Sequence, residues 1–134
     1  MVAKVQTDFH SFLDEYLSNW KQGNTDYMRE VISKDLLARE IRGGEAEDFG
    51  YDQSVQGWAG AFDYFADKDM EWVLTPQSIL PINEHEKMAI IRAAPVIEGK
   101  LVPSSNLFFN TFKQDEDSGE WKLVRSYIET GVPN

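Results

Sequence analysis

The stretch FHSFLDEYLSNWKQG, residues 9–23, decides the fold. Phe9, Phe12, Leu13, Tyr16, Leu17 and Trp20 recur at the three- and four-residue spacing of a helix with one buried face. Asp14, Glu15, Ser18 and Lys21 occupy the other side. Gly23 is the expected stop, because it accepts a positive φ without a Cβ clash. A second, shorter helix is predicted to start at Asn24 or Thr25, either of which can cap free amides. It would bury Tyr27, Met28, Val31 and Ile32.

Working outward, Leu36 to Arg42 reads as a short strand, Gly43-Gly44 as a turn, and Glu45 to Tyr51 as a return or loop. A third helix is expected from about Asp52, with Val55, Trp58, Ala59, Phe62, Phe65 and Ala66 on one stripe. Gly57 and Gly60 within it either permit close approach to a neighbour or are simply tolerated, at up to about 1 kcal/mol each relative to Ala. From Met70 the period changes to that of strands. Met70–Leu80 and Glu86–Ala94 flank a turn at Pro81-Ile82-Asn83-Glu84-His85. Val102–Gln114 and Glu120–Thr130 flank the hairpin connection Asp115-Glu116-Asp117-Ser118-Gly119. Pro95 and Pro103 are expected to mark an irregular link, since proline cannot donate to a sheet ladder. Helices grouped first and strands grouped last predict an α+β domain, with antiparallel strands curling around the helices.

One domain over residues 1–134 suits the length, and a chain of this size buries about two-thirds of its unfolded surface. Four Trp, five Tyr and eight Phe exceed what a minimal core requires, which leaves rings to line a cavity. A net charge of −10 repels phosphate backbones and anionic lipid, so no nucleic-acid or membrane partner is expected. The absence of Cys excludes disulfides, thiolate metal sites and Cys nucleophiles. With no leader-like start and no long apolar run, the expected location is cytoplasmic.

The order of elements resembles the cone-shaped nuclear transport factor 2-like superfamily, which includes SnoaL-like cyclases, ketosteroid isomerases, scytalone dehydratases and non-catalytic association domains. The resemblance is carried by YLSNWKQGN (residues 16–24), DLLAREIRGG (35–44) and EWKLVRSYIE (120–129), and it covers nearly the whole chain. It implies N-terminal helices packed in the concave face of a curved, mostly antiparallel sheet, as a cone-shaped α+β barrel with a cavity at the wide end. It also implies a homodimer through the outer sheet face. By position, the resemblance places Glu40 where ketosteroid isomerase has its general base, and Tyr16 near its oxyanion-stabilising tyrosine. A carboxylate in an apolar cavity is suited to proton abstraction beside a carbonyl, and a phenol to stabilising the oxyanion. Two departures stand against the transfer. The family's buried second acid has no counterpart, since Asn106 or Asn110 can at most donate a hydrogen bond. Glu40 also lies between Arg39 and Arg42, so a solvated salt bridge is the alternative.

Strand alternation sorts the remaining candidates, because every second side chain shares a face. Trp121, Leu123, Arg125, Tyr127 and Glu129 form one row of the last strand. Asn106, Phe108, Asn110 and Phe112 form a row on the strand before, and Met88, Ile90 and Arg92 on the one before that. The last-strand row reads either as a cavity lining or as a dimer face or structural network. Arg125 and Glu129 lie about 13 Å apart along a strand, so each needs another partner, Arg92 or Arg39 for Glu129. Trp20, Trp58 and Trp72 sit on apolar stripes and read as core, although a buried indole N–H needs an acceptor and can reach into a cavity. His10 and His85 read as surface residues. No metal-ligand spacing, phosphate-cradling glycine loop or Ser-His-Asp set is present, so no metal or cofactor is expected.

Two functional expectations follow. One is a domain binding a small, largely apolar molecule in an enclosed cavity of about 300 Å³ or more, with cofactor-independent lyase, cyclase or isomerase chemistry by proton transfer. The other is a non-catalytic homodimeric interaction module.

Overall fold

Helix α1 runs from Phe9 to Gln22 in the computed structural model, which describes residues 8–133. It ends as its sequence requires: Gly23 is left-handed at φ 69°, and its N–H and that of Asn24 close on the carbonyls of Trp20 and Asn19. Helix α2 spans Thr25–Val31, with the Asn24 side chain accepting from the Tyr27 N–H. Met28, Val31 and Ile32 are buried as expected, while Tyr27 is only partly so.

Seven strands follow in one sheet: β1 (Ile32–Arg42), β2 (Glu45–Phe49), β3 (Met70–Pro81), β4 (Glu86–Ile97), β5 (Lys100–Leu101), β6 (Ser104–Gln114) and β7 (Trp121–Pro133), with α3 (Tyr51–Phe65) between β2 and β3. The main path is β2-β1-β7-β6-β4-β3, and β5 pairs with β4 beside the end of β6. All pairs are antiparallel except β1 with β7, so the sheet is mixed, and it remains open at β2 and β3.

The aromatic edge of α1 lies along the concave face of β6 and β7. Phe9 meets Trp121 at 4.9 Å between ring centroids, Phe12 and Tyr16 each meet Phe112 at 5.1 Å, and Trp20 meets Phe108 at 4.8 Å. Phe9, Phe12, Phe112 and Trp121 fill one end of the concave face. Towards the other end α3 brings up the buried Ser54 and Val55 and the partly buried Trp58 and Phe62, and the interior is not filled.

Two expectations are corrected, and one open alternative, at Gly57 and Gly60, is decided for simple tolerance. β4 continues through Pro95, which pairs with Trp72 on one side. Its carbonyl accepts from the Val102 N–H on the other side, beyond the last β4–β6 pair, so the missing donor costs the ladder little. Gly57 and Gly60 permit no close approach, since a Cβ at either would meet nothing within 4 Å. Most consequentially, the last strand is not one uninterrupted row. Thr111 pairs with Arg125 but Phe112 with Leu123, so β7 carries an extra residue, Val124, as a bulge. Trp121 and Leu123 face inward, whereas Arg125, Tyr127 and Glu129 face outward and Ser126 and Ile128 take the concave side.

Gly60→Ala is therefore expected to stabilise the domain by about 0.5–1 kcal/mol, because the site is open and the unfolded chain loses freedom. A denaturant midpoint unchanged or lowered by the substitution would contradict this.

Candidate functional site

A cavity of about 400 Å³ opens between α1, α3 and the concave face of the sheet. Its apolar wall is Trp20, Trp58, Trp72 and Phe108, with Trp20 edge-on to the other three. Trp20 meets Trp58 at 4.8 Å, Trp72 at 6.0 Å and Phe108 at 4.8 Å, while Trp58 stacks on Phe108 at 6.3 Å. Trp20 comes from α1 and Trp58 from α3, Phe108 is set inward by the β6 alternation, and Trp72 by that of β3.

The polar floor is a chain of hydrogen bonds across three elements. Ser126 donates to Asn110 Oδ1 at 2.6 Å, and Asn110 Nδ2 lies 3.5 Å from the Tyr16 hydroxyl. All three side chains are buried. Burial pushes the Tyr16 phenol well above its ordinary pKa, reinforced by Tyr27 and only partly offset by Asn110. The phenol thus stays neutral, covered by Phe12, Trp20 and Phe112. Asn106 also lines the cavity, and its Oδ1 accepts from the N–H of Gly131, a glycine at φ 69° where β7 bulges a second time. Among the described residues, Trp20 Nε1 and the Tyr27 hydroxyl are buried side-chain atoms without a hydrogen-bond partner.

The mouth is charged. Glu40 lies on the inward side of β1, its side chain 27% exposed, and accepts from Arg42 Nη2 at 2.7 Å. Gly43 and Gly44, at φ 59° and 81°, form the two-residue turn that folds β2 back. Glu47 is thereby set opposite Glu40, on the same face.

The structure thus brings together Glu40, Tyr16, Trp20, Trp58, Trp72, Asn106 and Phe108 around one cavity. It places four other candidates on the outer face, each with its own partner. Arg125 pairs with Glu86, whose carboxyl is held below its usual range chiefly by that hydrogen bond. Tyr127 donates to Glu129 at 2.7 Å, so Glu129 is served by neither Arg92 nor Arg39. Arg92 donates to Ser105 and to the Pro133 carbonyl, and Arg39 pairs with Asp48 at 2.6 Å. His10 is exposed, and His85 lies in its turn beside Glu116 at 3.2 Å.

Residues that sequence reasoning missed are Glu47, Gln53, Ser54 and Ser126. Glu47 carried a usable signal, since a two-residue turn at Gly43-Gly44 puts residue 40 opposite residue 47. Ser126 carried none, because its orientation depends on the bulge.

No family model matches the chain, and no curated protein does. Solved structures match over nearly its whole length. A proposed calcium/calmodulin-dependent protein kinase type II association domain from Thiobacillus denitrificans superposes with a TM-score of 0.70 at 15% identity, covering 96% of this chain and 98% of that one. An NTF2-like protein of unknown function in nutrient uptake, from Rhodospirillum rubrum, gives 0.67 at 13% identity, covering 94% and 100%. A protein proposed to be a ketosteroid isomerase, from Shewanella frigidimarina, gives 0.60 at 14% identity, covering 87% and 89%. The chain has the cone fold of the nuclear transport factor 2-like, cystatin-like proteins, as the order of its elements implied. At these identities the likeness establishes the fold and leaves the site to be read from its own geometry. Among the described residues, no helix is long and apolar enough to cross a membrane.

Burial also pushes the Tyr27 phenol above its ordinary pKa, with the Glu15 carboxylate adding to the effect. Both Tyr16 and Tyr27 are raised in the folded state, so their contribution to stability is complete below about pH 10 and is lost as pH rises further. In an alkaline titration followed by tyrosinate absorbance, these two phenols should ionise only with unfolding. Smooth ionisation of all five tyrosines in the folded protein would contradict the burial.

Proposed function

We propose that this chain is a small-molecule-binding domain whose cone cavity takes a largely apolar ligand. The observation that carries the reading is an unfilled 400 Å³ space walled by three tryptophans and Phe108, with a few polar groups converging on it. The chemistry assigned to it is cofactor-independent proton transfer, of the lyase, cyclase or isomerase kind. Glu40, inward-facing at the mouth, is the proton acceptor, and Arg42 holds it in place. Tyr16 acts through Asn110 on the floor, because its own hydroxyl is wholly covered.

A thermal-shift screen of small aromatic and steroid-like compounds, neutral and charged, tests this. A ligand that binds only the folded state, at a hundred times its Kd, stabilises by about 2.7 kcal/mol and raises the midpoint. Trp58→Ala should abolish that shift and Glu40→Gln should alter it. Arg125→Ala, on the outer face, should leave the ligand-induced shift unchanged. No response from any compound, or equal loss in Arg125→Ala, would sink the reading.

One observation favours a second reading, a homodimeric interaction module. The outer sheet face presents Leu37 at 70% exposure with Val73, Leu80 and Tyr127 also exposed. An association domain is among the structures it resembles. Sedimentation should show a dimer that Leu37→Asp converts to monomer, and a wild-type monomer at about 100 μM would exclude an interface of ordinary strength.

A further inference from the structure

The charge at the mouth and the rings behind it narrow the kind of ligand, taking the cavity to be the binding site proposed above. Glu40 and Glu47 are direct cross-strand partners on the cavity side, a placement in which like charges repel. Arg42 is the single cation among the lining residues, and it is engaged with Glu40. Glu47 makes no ion pair among the described residues. The mouth therefore keeps a net negative charge, within a chain of net charge −10 that attracts cations and repels anions over a longer range. Inside, the half-buried Trp58 and Trp72 line the cavity together with the buried Trp20 and Phe108. Indole faces are the strongest aromatic partners for an ammonium group. An anionic ligand would enter against two carboxylates, and a neutral one would gain nothing from them.

We propose that the cavity takes an organic cation, a protonated or quaternary amine on an apolar body, with its charge held between Glu47 and Glu40 and the indoles of Trp58 and Trp72. In this arrangement Arg42 limits affinity, because it competes with the ligand for Glu40.

The test compares benzyltrimethylammonium with its uncharged carbon isostere, neopentylbenzene. Each is titrated into the full chain while the four tryptophan indole N–H resonances are followed by NMR. The cation should shift the signals of Trp20, Trp58 and Trp72 but not Trp121, and bind about tenfold more tightly than the isostere at low salt. Salt at about 0.15 M should shrink that preference. Glu47→Gln, an exposed and structurally mild change, should weaken the cation several-fold and leave the isostere unaffected, whereas Arg42→Gln should tighten the cation. Equal or tighter binding of the isostere, or a Glu47→Gln variant that binds the cation like wild type, overturns the cation preference and leaves the cavity reading standing. If neither probe moves the three cavity indoles, both inferences fall.

Discussion

The docking of one helix edge on one strand face governs this molecule. Phe9, Phe12, Tyr16 and Trp20 leave α1 on the side that meets β6, whose alternation turns Phe108, Asn110 and Phe112 towards them. Large rings at edge-on distances contribute both buried area and a directional preference, about 0.5–1.5 kcal/mol per pair beyond burial. The contact is uneven along its length. Around Phe9 and Phe12 four rings close the space, but near Trp20 the next layer is α3, which offers small or half-buried side chains. The cavity is a consequence of that unevenness.

A single extra residue then divides the sheet into two chemically different faces. Val124 bulges from β7, and beyond it the strand shows Ser126 and Ile128 to the helix and Arg125, Tyr127 and Glu129 to the outside. Ser126 completes the buried chain to Asn110 and Tyr16, whose cost if broken would be about 1–3 kcal/mol for the group left unpaired. The arginine and tyrosine, by contrast, join an outer surface of ion pairs and exposed apolar side chains. The cavity lining and the exposed outer face therefore draw on separate residues.

Much of the fold was legible because local rules and tertiary packing agree. The six-residue apolar stripe of α1 and its glycine stop, the Asn24 cap and the turn before β7 each formed where spacing or turn chemistry placed them. Glu40, which the resemblance pointed to, Asn106, which strand alternation offered, and Trp58 and Trp72, which read as core able to reach a cavity, all line the cavity. Arg92, Arg125, Tyr127 and Glu129 were not separable in this way. Alternation says only which residues share a face, and neither which face is concave nor whether a bulge interrupts the count.

The sequence by itself determined the helix-then-sheet order, the aromatic edge of α1, the negative field and the Gly43-Gly44 turn that opposes Glu40 to Glu47. These follow from neighbours along the chain, where period, charge and φ are local quantities. Only the tertiary structure decided that the cone is hollow beside Trp20, that Tyr16 is sealed behind Asn110, and that β7 reverses its faces at Val124. Those outcomes depend on how volumes from α1, α3 and β6 meet in space and on how β7 registers against two strands at once, and neither is written in the spacing of any one segment.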